Sequence, residues 1–403
     1  MAALNLPGAF GVHMPQYRIP NSLFKDNRAR LVELFSKEAP EAAAGDGAVL
    51  LFKGGNQEER YDTDHEPVFR QESFFAHLFG VTEADCYAVI EVPSGKTTLF
   101  IPRLPAEYAV WMGPIHPPES FQAKYGVDVV LYVDEVPAWL KAHSAVASST
   151  AEKPAIHTIY GENSDSGNSG PPLPDFEGFE ALFSTHAVLR RVAVEVRVHK
   201  SGAEVAVLQK VNDIASDAHM ATMAHAKPGM VEFQLESMFR HHCYYNGGCR
   251  LAAYTSICGC GPNAAVLHYG HAGAPNDRTC LEGEVMLSDQ GCELRCYSCD
   301  ITCSYPISST GKFTADQRFI FDTVALCQQR VMAAMQPGVE WAAMHELTYR
   351  TICERLVEGG ALVGSIDDMM AANVGSHFMP HGLGEERCYT CLACHFVIDF
   401  NLQ

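Results

Sequence analysis

No stretch of this sequence approaches the roughly 20 consecutive apolar residues needed to cross a bilayer. Its opening, MAALNLPGAFGVHMPQYRIP, has neither the basic start nor the continuous apolar centre of a secretory leader. Both absences point to the cytoplasm. Basic charge is also short, with 29 lysines and arginines against 48 aspartates and glutamates, a formal net charge of −19, and no Lys/Arg-rich stripe. Such a surface repels a phosphate backbone, so nucleic acid is excluded as a natural partner. Glycine and proline are spread along the chain, and 47% apolar with 19% charged residues is a globular composition rather than a fibrous or disordered one. Fifteen cysteines, an odd number, read as mostly reduced thiols in that compartment and not as a disulfide framework.

At 403 residues the chain exceeds one ordinary core and fits two domains. Up to about residue 190, strand-like runs alternate with helical stretches: GAVLLF, SFFAHLFGV, CYAVIEV and TTLFIP. The turn at Pro93-Ser94-Gly95 between the last two predicts a hairpin from Cys86 to Pro102. VDVVLYV, residues 127–133, reads as a buried strand. The Ser-, Gly-, Pro- and acid-rich stretch from Tyr160 to Glu180 reads as a loop or linker, which sets a domain boundary near 190.

Beyond it the pattern turns helical. Ser201 and Glu204 form a capping-box pair, and Val207, Val211, Ile214, Ala218 and Ala221 recur at helical steps until Lys227-Pro228-Gly229. A second helix should carry Leu235 and Met238 and stop at Asn246-Gly247-Gly248. The same phrase returns about a hundred residues later, with a Thr314/Gln317 box, a stop at Gln336-Pro337-Gly338, and a helix through Met344, Leu347 and Ile352 closing at Gly359-Gly360. The repetition predicts a duplicated unit. Its most polar, strand-like segment, Ala264 to Pro306, lies between the copies.

Two aspartates stand out in that segment. Asp289 follows Val285-Met286-Leu287, and Asp300 precedes Ile301-Thr302-Cys303, so both fall at the ends of neighbouring strands. Buried together, such a pair requires a shared proton or a cation, whereas two solvated turn aspartates would require neither. His268 and His271 in LHYGHAGAPN, with His377 and His381 in SHFMPHGLG, surround the pair with imidazoles in Gly-rich turns. That grouping argues for a hydrolytic metal site.

The run HYGHAGAPNDRT, the segment through Pro306, GKFTADQ and MPHGLG together resemble the prolidases, cytosolic Xaa-Pro dipeptidases of the pita-bread metallopeptidase clan, over nearly the whole chain. The resemblance implies an α+β architecture: a creatinase-like α/β N-terminal domain over 1–190, a pita-bread catalytic domain over 191–384 that is incomplete at its C-terminus, and a divergent tail over 385–403. It implies a homodimer acting on Xaa-Pro dipeptides through two Mn2+ ions per subunit. Asp289 and Asp300 match two metal ligands, the second bridging both ions. His268 matches a histidine that contacts substrate or transition state, Tyr254 a tyrosine near the site, and His381 the first histidine of the HGLG motif. The motif's next histidine, a metal ligand, is replaced here by Glu385, and the two ligating glutamates have no counterpart before Gln403. With three of five ligands unmatched, the expectation for this chain is weak or absent activity. The alternative is a non-catalytic splice variant that is degraded or pairs with a full-length subunit. EERCYTCLACHFVIDFNLQ then reads as a retained intron or alternative last exon, because Gly384-Glu385 can encode a splice-donor-like GTGAG. Its Cys388, Cys391 and Cys394 have a spacing seen in zinc and iron–sulfur sites, without a plausible fourth cysteine nearby.

Overall fold

The computed structural model describes residues 19–44, 47–164 and 166–383. The chain divides into two compact units, Arg18–Glu204 and Val205 onward. Glu385 and the tail cysteines lie outside the described residues. Among the described residues, no helix is long and apolar enough to cross a membrane.

The first unit is built on a six-stranded mixed sheet. Its strands are β1 (Val49–Lys53), β2 (Tyr87–Glu91), β3 (Thr97–Ile101), β4 (Val129–Tyr132), β5 (Ile156–Thr158) and, after a short hairpin of β6 (Gly161–Glu162) and β7 (Ser169–Gly170), β8 (Ser184–Thr185). The order is β4-β3-β2-β1-β5-β8. Strand residues of the central strands alternate between two buried faces, which is why these runs are mostly apolar. Leu50, Phe52, Ala88 and Ile90 pack with Leu31 and Phe35 of the helix Asn21–Glu38, while Val49, Leu51, Tyr87 and Val89 pack with Val136 and Leu140 of the helix Val136–Ala142. The hairpin from Cys86 to Pro102 is present as β2 and β3. The expected buried strand at 127–133 is β4, an edge strand in which only Val130 is buried, because among the described residues one side of it has no neighbouring strand. Residues 160–180 hold the β6–β7 hairpin. Asp175, beyond it, accepts from Lys53 Nζ at 2.6 Å and from the Tyr87 hydroxyl.

Four helices form two pairs at the expected places: Gly202–His225 with Glu232–Gly247, and Ala315–Ala334 with Trp341–Glu358. Both capping boxes form. Ser201 N–H donates to Glu204 Oε2 at 2.7 Å and Glu204 N–H to Ser201 Oγ at 3.2 Å; Thr314 N–H donates to Gln317 Oε1 at 3.0 Å and Gln317 N–H to Thr314 Oγ1 at 3.3 Å. Between the pairs lie β9 (Leu251–Ala252), β10 (Ile257–Cys260), β11 (Glu284–Gln290), β12 (Cys292–Leu294), β13 (Tyr297–Ser298) and β14 (Ile301–Ile307). The first sheet here is β10-β11-β14, antiparallel throughout, and the second is β13-β12-β9. After the second helix pair come the helix Ile366–Ala371 and the 3-10 turn Val374–His377. Through Leu383 the described residues add no further strand. The twelve described cysteines are free thiols, and all but Cys86 belong to the second unit.

Candidate functional site

The two faces of the β10-β11-β14 sheet differ in kind. Met286, Ser288 and Gln290 of β11 share a face with Cys258, Cys260, Tyr305 and Ile307, and much of that face packs against Leu235 of the helix Glu232–Gly247. Period-two alternation puts Leu287 and Asp289 on the other face. Asp289 is opposite Ile257 on one side and Thr302 on the other. Asp300 stands two residues before Thr302, so it shares the face of Asp289 as a diagonal neighbour, a separation that long side chains span.

Tyr254 spans it. Its hydroxyl donates to Asp300 Oδ1 at 2.6 Å and to Asp289 Oδ1. Burial and the two carboxylates push the phenol far above its ordinary pKa, so it stays protonated and keeps its hydrogen for the carboxylates. Asp289 is buried and Asp300 exposed, which leaves one end of the pair open to solvent. The chain reaches this arrangement through Gly291. A Cβ there would lie 1.9 Å from the Cys299 carbonyl oxygen and 3.0 Å from the Tyr254 ring, so only glycine lets the β12–β13 excursion fold back close enough to deliver Asp300.

Tyr254, Asp289 and Asp300 are therefore brought together. His268 and His381 are carried by other elements. His268 sits in the exposed turn after the 3-10 segment Gly261–Ala265. His381 sits beside the second helix pair, where Nδ1 is 2.8 Å from the Gly382 carbonyl oxygen and the segment is pinned by Tyr349 Oη donating to Met379 O and Trp341 Nε1 to Leu383 O.

Two supporting residues escaped the sequence reading. His219, 1% exposed on the helix Gly202–His225, puts Nε2 3.3 Å from the Gln290 carbonyl oxygen and packs at a tilt against the Phe239 ring. Burial lowers its pKa, so a neutral imidazole buttresses the strand end that carries Asp289. Glu232, with no exposed surface, accepts from Cys260 N–H at 2.7 Å, Asn263 Nδ2 at 3.1 Å, Tyr269 Oη at 2.7 Å and Arg278 N–H at 3.1 Å. One carboxylate thus ties both ends and the middle of the segment bearing His268. The available signal was a polar residue interrupting an apolar helical stripe in each case.

The donor set suits a hard divalent cation, since both acids contribute oxygen and a hydroxyl brings no charge to offset theirs. Among the described residues, no group of three or more His, Cys, Asp and Glu is disposed to hold a metal ion. The described part thus supplies two carboxylates toward such a site.

Comparisons with known proteins agree with this layout. Residues 206–389 match the model of metallopeptidase family M24, and residues 24–151 that of the aminopeptidase P N-terminal domain. The chain is 46% identical to the Xaa-Pro dipeptidase of Homo sapiens over 385 residues, covering 95% of this chain and 75% of that protein. It is 34% identical to a probable Xaa-Pro aminopeptidase of Verticillium alfalfae, covering 89% and 73%. Among solved structures, Escherichia coli aminopeptidase P with the inhibitor Pro-Leu superposes with a TM-score of 0.73 at 26% identity, covering 91% of this chain and 80% of that one. Pseudomonas aeruginosa aminopeptidase PepP gives 0.72 at 25%, covering 89% and 78%.

Proposed function

The chain belongs to metallopeptidase family M24, with an aminopeptidase P N-terminal domain before the pita-bread domain, and on that premise we propose a prolidase-type site for Xaa-Pro dipeptides. The observation that carries the reading is the convergence of Asp289 and Asp300 on the Tyr254 hydroxyl. In this reading both carboxylates hold divalent metal, with Mn2+ the expected ion. A bound divalent cation supplies Lewis-acid polarisation of the scissile carbonyl and a water of lowered pKa. Asp289 provides the buried anchor and Asp300 the solvent-facing one. Tyr254 keeps the two in register by donating to both. His268 offers an imidazole to substrate from its exposed turn, and Glu232 and His219 position the turn and the strand end. His381 takes the first-histidine role of the HGLG motif. The family resemblance further supports a cytoplasmic homodimer.

A second reading concerns the 403-residue polypeptide itself and is favoured by Glu385, which stands where the resemblance has a ligand histidine. In this reading a carboxylate in place of that histidine weakens metal binding, and the chain serves as a non-catalytic partner of an active M24 subunit. Gly-Pro hydrolysis with added Mn2+, run beside metal analysis of the purified protein, separates the two. Turnover with two ions per chain supports the enzyme and overturns the second reading. Absence of turnover together with co-purification of an active M24 subunit supports the modulator.

A further inference from the structure

Four buried thiols converge in the second unit. Cys292 Sγ lies against the thiols of Cys243, Cys249 and Cys299, in an apolar cluster that also holds Val211, Phe239 and Ile301. All four are at most 4% exposed. Within this group Cys292 and Cys299 are singled out by the backbone. The β12–β13 register pairs Leu294 with Tyr297 and Glu293 with Ser298, so the next rung sets Cys292 opposite Cys299. Cys299 N–H donates to the Cys292 carbonyl at 3.1 Å, which holds that rung closed. Residues directly opposite in an antiparallel ladder have Cα atoms about 4.5–5.5 Å apart. A disulfide accepts about 4.4–6.8 Å. The two Sγ atoms are 3.8 Å apart, so closure to a bond of about 2.0 Å is a shift within reach of side-chain rotation.

We infer that Cys292 and Cys299 form a reversible disulfide, a redox modification site on the strand segment that carries Asp300. The oxidant class is a low-molecular-weight disulfide. One cysteine thiolate attacks it, forming a mixed disulfide and releasing one small thiol. The second cysteine then attacks the protein-bound sulfur, forming the intramolecular bond and releasing the other small thiol. Two electrons and two protons pass from the protein to the reagent. The buried pair reacts when the short hairpin opens locally, and its tip, Arg295-Cys296, has φ of 55° and 65°, a conformation costly for residues with side chains. Cys260 and Cys280 also touch, but Cys260 Sγ donates to Glu284 Oε2 at 3.3 Å, which stabilises its thiol form. That pair is the internal reference.

Because Cys299 adjoins Asp300, the disulfide constrains the backbone that presents Asp300 to the Tyr254 hydroxyl. This consequence rests on the proposed metal role of Asp300, whereas the disulfide does not. The test incubates the full chain in glutathione buffers of rising disulfide fraction, traps free thiols by alkylation, and maps peptides by mass spectrometry. The expected result is a Cys292–Cys299 cross-link that glutathione reverses, with Cys260 and Cys280 still alkylated. Persistent alkylation of both Cys292 and Cys299, a cross-link to Cys243 or Cys249 instead, or stoichiometric zinc on the four thiols of the purified protein would each overturn the inference. Free Mn2+, read by electron paramagnetic resonance, should show a different affinity for the oxidised chain than for the reduced one. Failure of both forms to bind Mn2+ would refute the metal reading and leave the mapped disulfide standing.

Discussion

A hydroxyl group carries one hydrogen, and Tyr254 holds its own between two acids. Tyr254→Phe removes the donor and leaves the carboxylates to repel. A lost hydrogen bond to a charged acceptor costs about 1.5–3 kcal/mol, so urea unfolding without metal should show a loss of about 2 kcal/mol. Added Mn2+ should narrow the gap. A variant as stable as the parent would mean that the bond contributes nothing. His157 predicts an acid sensitivity. Its ring packs edge-on against Phe35, both ring nitrogens are buried without hydrogen-bond partners among the described residues, and burial pushes the pKa down to about 4. The unfolded imidazole titrates near 6.5, so between those values the unfolded state binds more protons. The neutral form's stability is complete above about pH 6.5 and falls by about 3 kcal/mol as pH drops toward 4. His157→Phe should flatten denaturant midpoints across that window; an unchanged slope would exonerate the residue. At this scale Asp289 and Asp300 were legible because each adjoins an apolar run. Tyr254 became visible through the resemblance, since nothing in AAYTS marks it. Glu232 and His219 stayed hidden because their partners are remote in sequence.

Helix ends were the most legible elements. A capping box is written within four residues, and both predicted boxes form. The first does more than cap. Burial alone would raise the Glu204 carboxyl, but His77 Nε2 at 2.9 Å, the Ser201 amide and Arg30 at 2.9 Å offset this and hold it at about 2. Burial also keeps His77 below its usual pKa, so at neutral pH a neutral imidazole donates to an ionised carboxylate while Arg30 supplies the countercharge. A depressed carboxylate pKa contributes stability that is present above about pH 4.5 and lost as pH falls toward 2, here about 3 kcal/mol. Glu204→Gln should therefore destabilise at pH 7 and matter progressively less below pH 4; an equal effect at both values would contradict the charge argument. The short strands were illegible. β9, β12 and β13 have two or three residues each, and their existence depends on pairings such as Cys292 with Ala252, forty residues apart, which no local pattern records. The turn between β12 and β13 places Arg295 and Cys296 where Asn-Gly would have announced a hairpin.

Across the whole molecule, length and alternation foretold layered α/β material but not the mixed sheet of the first unit. β1 pairs antiparallel with β2 and parallel with β5, a contact between residues 49 and 156 that periodicity cannot reveal. Net charge was legible at once and has a consequence for stability. At −19 the folded chain repels itself, and raising ionic strength from about 0.01 to about 0.15 M shortens screening from about 30 to about 8 Å. Tm should rise with added sodium chloride over this range, and a fall would show that attractive surface pairs outweigh the excess. The distribution of cysteine offers a different handle. Among the described residues eleven free thiols lie in the second unit and Cys86 in the first, so a chemical tag applied to the native protein times the breathing of each unit on its own clock. One spectrum, read peptide by peptide, would say which unit lets go first.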